Sequence, residues 1–77
     1  MGSGLPLADS AQIGRHIRNM RDERGMKQNH LAQKAGISRG ELSRIERGRV
    51  FPTMRTLHGL CTALGVSLGD LLEGGRD

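Results

Sequence analysis

The stretch that decides the fold is Gln28–Gly48, QNHLAQKAGISRGELSRIERG. Leu31, Ala32 and Ala35 recur at helical spacing, as do Leu42 and Ile45 further on. Two short helices, each burying one apolar stripe, follow from that period. Gly36 falls between them, where a tight corner needs positive φ, a region that strains any residue carrying a Cβ. Ala32 is small where the second helix must cross close over the first. Ser38 and Glu41 form S-x-x-E, the spacing at which a hydroxyl and a carboxylate cap a new helix reciprocally.

With 77 residues the chain makes one domain with a small core. One phenylalanine and no Trp or Tyr leave that core to Leu, Ile, Val, Met and Ala. A core this small gains from the extra burial of a dimer. The lone Cys61 excludes an internal disulfide framework and fits a reducing compartment. No apolar run reaches the roughly 18–20 residues of a membrane span. Met1–Leu7 lacks the charged start and apolar run of a signal peptide, so a cytoplasmic location is expected.

The net charge of +4 is unevenly placed. Residues 27–55 carry seven Lys/Arg against two acids, net +5; residues 1–26 come to +1 and residues 56–77 to −2. Basic charge therefore gathers on the stretch quoted above, the footprint of a polyanion-binding surface. Two helices, a glycine corner and a basic outer face make a helix-turn-helix, which suits its second helix to a DNA major groove.

Read in order, Met1–Ala8 has no periodicity and contains Pro6, so residues 1–8 are expected to form a flexible arm. Asp9 or Ser10 caps a helix running to about Arg24, with Ile13, Ile17 and Met20 as its buried stripe and Arg15, Arg18 and Asp22 in water. Helices over about Lys27–Ala35 and Arg39–Arg47 follow. In the next loop Phe51 is expected to tuck onto the core, and Pro52 precedes a fresh start. Thr53 caps a fourth helix whose Leu57, Leu60, Cys61 and Leu64 share one face. Ser67, with Asp70 three residues on, opens a short fifth helix containing Leu68, Leu71 and Leu72. Gly25, Gly36, Gly48, Gly65 and Gly74 each close a helix. No strand-like alternation competes, no internal repeat is evident, and residues 74–77 form a tail after a domain over 9–73.

From Ile13 to Leu72 the sequence resembles the Cro/phage-repressor type of helix-turn-helix domain, the xenobiotic-response-element family of bacterial regulators. The resemblance is carried by Ile13-Gly14, Ile17-Arg18, Arg21-Asp22-Glu23-Arg24-Gly25, Gln28, Leu31-Ala32 and Gly36-Ile37-Ser38. Ser43-Arg44-Ile45-Glu46-Arg47-Gly48, Pro52-Thr53 and Ala63-Leu64-Gly65-Val66-Ser67 continue it. It implies an all-α, compact five-helix lambda-repressor-like domain with its helix-turn-helix at the second and third helices. It implies also a sequence-specific transcriptional regulator of double-stranded DNA, most simply a dimeric repressor reading a palindromic operator.

Carried over residue by residue, the resemblance gives base-reading positions to Arg39, Gly40, Glu41, Ser43 and Arg44. An arginine fork matches guanine O6 and N7. Glu41 has two uses open to it, accepting from cytosine N4 or reaching back to cap the helix, and its spacing from Ser38 favours the cap. Gly40 suits close approach to a thymine methyl or sugar. Gln28 matches the family glutamine that contacts phosphate and braces the reading helix. Lys27 and His30 depart from the family's capping residues and place positive charge at a positive helix end, so a phosphate is expected to complete that cap. Arg47, Arg49 and Arg55 are expected on phosphates, which give affinity without sequence information. The resemblance pairs Arg21 with Glu46, partly buried. Val66, Leu68, Leu71 and Leu72 are more apolar surface than one short terminal helix needs; some of them floor the core, and the group is expected to form a homodimer surface with the end of the fourth helix.

The chain carries no Ser/His/Asp set, paired carboxylates or phosphate-cradling glycine loop, so an enzyme is not expected. His16, His30 and His58 sit on different helices without a second ligand set, so no metal, cofactor or small-molecule effector is expected. A protein-interaction module on the same fold would present a neutral or acidic third helix, against which Arg39, Arg44, Arg47 and Arg49 stand.

Overall fold

Among the described residues five α-helices follow one another: α1 (Ser10–Glu23), α2 (Gln28–Ala35), α3 (Arg39–Glu46), α4 (Met54–Leu64) and α5 (Leu68–Glu73). The computed structural model describes residues 9–74; the arm at 1–8 and the end of the tail at 75–77 lie outside the described residues. Gly74 belongs to α5 as its left-handed C-cap, its N–H directed to the carbonyls of Asp70 and Leu71.

Of the two candidate caps for α1, Asp9 does the work. Its carboxylate accepts the Gln12 N–H at 2.8 Å, and the Gln12 side chain accepts the Asp9 N–H at 3.2 Å. The helix thus begins with two of its otherwise unpaired donors satisfied. Thr53 caps α4 with a single bond of this kind, accepting the Thr56 N–H at 3.1 Å.

The expected stripes meet in one aliphatic core: Ile13, Ile17 and Met20 with Leu31, Leu42, Ile45, Leu57, Leu60, Leu64 and Leu71, all buried. Each such side chain contributes about 1.5–3 kcal/mol by leaving water. α4 packs chiefly on α2, while α1 packs on α3 and α5. Two backbone approaches fix these crossings. A Cβ at Gly14 would sit within 2.7 Å of the Glu46 carbonyl oxygen, and one at Gly59 within 2.5 Å of that of Ala35.

The loop before α4 corrects one expectation. Phe51 is 49% exposed, and Pro52 is the buried residue instead. A residue before proline is held extended, and neighbours in extended chain point to opposite sides. With Pro52 turned inward, Phe51 is turned out.

A second correction concerns repetition. Gly36-Ile37-Ser38-Arg39-Gly40-Glu41-Leu42 and Gly65-Val66-Ser67-Leu68-Gly69-Asp70-Leu71 build the same corner, position for position. Gly36 and Gly65 are left-handed, with φ +80° and +74°. The Ile37 N–H reaches back to the Ala32 carbonyl and the Val66 N–H to that of Cys61, each at 3.0 Å, the six-to-one bond of a Schellman ending. Ser38 and Ser67 accept the N–H of Glu41 and Asp70, again at 3.0 Å each. Leu42 and Leu71 are fully buried. A repeat of seven residues is too short to register as sequence periodicity, and the shared backbone reveals it.

Candidate nucleic-acid interface

Leu42 and Ile45 bury one side of α3 and so fix what its other side presents. Arg39, Gly40 and Arg44 are exposed there, with Glu41 and Ser43 half-buried at its edges. Arg47, the C-cap of α3, is exposed, as are Arg49 just beyond it and Arg55 in the first turn of α4. The carboxylate of Glu41 does not complete the expected cap. Ser38 accepts the Glu41 N–H, but the return bond is formed only at Asp9–Gln12 and Ser67–Asp70. The longer Glu side chain is left on the outer surface.

α2 begins at Gln28, one residue later than expected, with Lys27 as an extended N-cap that makes no side-chain capping bond. Its first turn holds no acid. The N–H groups there keep the positive end of the helix dipole open to an anion.

Behind this surface lies a polar network centred on Glu46, which is 7% exposed. Arg21 donates to it twice, Nε to Oε2 at 2.7 Å and Nη2 to Oε1 at 3.0 Å. Gln28 Nε2 donates to the same Oε1 at 2.9 Å. Arg21 Nη1 also donates to the Met26 carbonyl at 2.8 Å. The hydrogen bond to Glu46 holds the Arg21 guanidinium above its ordinary range, with burial opposing and the charges of Glu46 and Asp22 adding. Gln28 Oε1 lies 3.5 Å from Arg39 Nη1, at the outer limit of a hydrogen bond. Residues far apart in sequence thus join the starts of α2 and α3 to the end of α3, and α1 locks the assembly. Among the described residues no buried side-chain N or O lacks a partner.

The expected dimer residues divide. Val66 is half-buried against the core, and Leu68 and Leu72 are each 36% exposed. Leu71 is fully buried, so it is corrected from surface to core: it is the corner's anchoring leucine, as Leu42 is on α3. Beside Leu68, a groove of about 300 Å³ runs between α4 and α5, lined by Met54, Leu57, His58, Cys61 and Val66 among others. Burial pushes the Cys61 thiol above its ordinary range, with Asp70 adding to the shift, which keeps it a neutral apolar group.

Two residues missed by sequence reasoning tie helix ends together. Arg24 donates from Nε to the Leu64 carbonyl at 2.8 Å and from Nη1 to that of Met20 at 3.0 Å, closing α4 as well as α1. His16 lies 2.8 Å from the Leu71 carbonyl through Nδ1. No local signal marks the long-range bonds, since the Leu64 and Leu71 carbonyls that accept them lie on distant helices. His30 and His58 are exposed. Among the described residues no three metal-ligating side chains cluster, and no helix is long and apolar enough to cross a membrane.

Residues 12–73 match a family model described as a helix-turn-helix domain. The chain belongs to this helix-turn-helix family. It is 43% identical over 58 residues to the transcriptional regulator DdrOP3 of Deinococcus deserti, covering 75% of this chain and 45% of that protein. Its helices superpose on the clp gene regulator ClgR of Corynebacterium glutamicum with a TM-score of 0.81 at 36% identity, over 91% of this chain and 73% of that one. The P22 c2 repressor, solved with a synthetic operator, matches with a TM-score of 0.75 at 32% identity, over 80% of this chain and 94% of that one. The all-α architecture is thus that of phage-repressor DNA-binding domains, and the family is one of regulators, not enzymes.

Proposed function

We propose that this domain represses transcription by reading a palindromic operator in double-stranded DNA as a homodimer. The observation that carries the reading is α3. A helix buried by Leu42 and Ile45 and locked at its end through Glu46 presents Arg39 and Arg44 to solvent. Arg39 and Arg44 read guanine edges, each contact giving about 1–3 kcal/mol of discrimination. Glu41, released from the cap, accepts from a cytosine amine, while Gly40 lets the backbone approach and Ser43 completes the reading face. Arg47, Arg49 and Arg55 bind phosphates, and a phosphate at the start of α2 takes the place of the missing side-chain cap between Lys27 and Gln28. Val66, Leu68 and Leu72 pair two copies so that their reading helices stand about 34 Å apart, one turn of DNA.

Selection from random duplex DNA at two salt concentrations tests this reading. A palindrome with half-sites about one turn apart is expected, with a salt slope near −0.9 per phosphate contact. Arg39→Ala should relax preference at one base pair, whereas Arg47→Ala should weaken all sequences alike and flatten the salt slope. Binding without any enriched sequence would overturn the operator reading.

A further inference from the structure

α5 has six residues, too few for a helix to hold itself in water, so whatever docks it decides where its outer leucines stand. Its inner face is anchored by Leu71, and its N-terminal end is closed locally by Ser67 and Asp70. Its C-terminal end is held from another helix. His16 Nδ1 on α1 lies 2.8 Å from the Leu71 carbonyl oxygen. Among the described residues this is the one side-chain hydrogen bond joining α5 to another helix. A carbonyl only accepts, so Nδ1 carries the hydrogen and donates. The carbonyl belongs to the last turn of α5, where among the described residues its backbone partner is the Gly74 N–H, long at 3.4 Å. Gly74 flanks the ring, near enough that a Cβ there would come within 2.9 Å of Nε2.

The two matched corners are thus each held near the end of their second helix by one side chain of α1. Arg21 reaches Glu46, the last residue of α3, and His16 reaches Leu71 on α5. We propose that His16 is a positioning residue for self-association, seating α5 through the Leu71 carbonyl so that Leu68 and Leu72 meet a second copy of the chain in register. This rests on the homodimer reading above.

The test compares the unmodified chain with His16→Ala and with His16→Asn, whose amide N–H can donate from the place of Nδ1. Amide hydrogen exchange, sedimentation of the free protein, and binding to the selected palindrome against a single half-site are measured for all three. His16→Ala should lose exchange protection in α5 while α2 and α3 keep theirs. Its self-association should weaken about three- to tenfold, the scale of one net hydrogen bond, with half-site binding unchanged, and His16→Asn should restore most of the loss. If α5 exchange, or the ratio of palindrome to half-site affinity, is unmoved in His16→Ala, the positioning role is overturned and the dimer reading stands. Equal losses on both duplexes assign His16 to the fold as a whole and overturn the role too. An unmodified chain that sediments as a monomer at every concentration, and prefers no palindrome, overturns the dimer reading and this proposal with it.

Discussion

At the corner between α2 and α3 the second helix carries Arg39, Glu41, Ser43 and Arg44; at the matching positions after the α4 corner stand Leu68, Asp70, Leu72 and Glu73. The backbones of the two corners agree in glycine conformation, hydrogen bonding and buried leucine. The surfaces they display are opposite in kind, cationic in one and apolar with acids in the other. A glycine, a serine cap and one buried leucine are enough to turn the chain. Exposed positions between them cost little stability when changed, and they are free to be set by what the helix must touch. The anchors differ as well. α3 is held by a two-pronged ion pair with a third donor from Gln28, while α5 is held by one imidazole on a carbonyl.

The largest expected effect breaks the stronger anchor. Glu46→Ala strands Arg21, whose side chain is only 12% exposed, and also removes the acceptor of Gln28. A loss of about 3–5 kcal/mol is expected, seen as a fall in Tm. A melt that does not move would mean that α3 is held by its leucine and isoleucine alone.

Next in size is a direct comparison of the corners. Gly36→Ala and Gly65→Ala each place a Cβ at positive φ with nothing within 4 Å to collide with. The cost should be that of the backbone alone, about 1–2 kcal/mol at either site. Similar losses by chemical denaturation confirm that the corners are one device used twice; markedly unequal losses separate them.

The smallest effect sharpens the contrast at the third helical residue. Asp70 returns a bond to the Ser67 N–H, long at 3.4 Å, so Asp70→Ala should cost about 0.5 kcal/mol. Glu41 returns none, so Glu41→Ala should leave stability alone and alter base preference in the selection experiment. A destabilisation equal to that of Asp70→Ala would put the Glu41 carboxylate back on the cap.

Much of this molecule is legible in its sequence. Every helix lies within a residue or so of its expected range, because caps, glycine endings and a period near 3.6 are local properties of the chain. The pairing of Arg21 with Glu46, implied by the family resemblance, is present. The misreadings share a cause. Phe51 is exposed where a core contact is expected, Leu71 falls wholly to the core within a group expected to be divided between core and dimer surface, and Glu41 and Asp70 differ at matching positions. In each case the residue type fits two environments.

The sequence by itself determined five helices, their ends, the aliphatic core and the basic bias of residues 27–55, since each depends on neighbours within about one helical turn. Only the tertiary structure decided that Gln28 shares Glu46 with Arg21, that Arg24 and His16 close the ends of distant helices, and that Pro52 takes the buried place. Those outcomes depend on which backbone carbonyl or carboxylate arrives opposite a side chain once the helices pack. Close approaches such as that of Gly14 to the end of α3 set that arrival, and no local pattern encodes it.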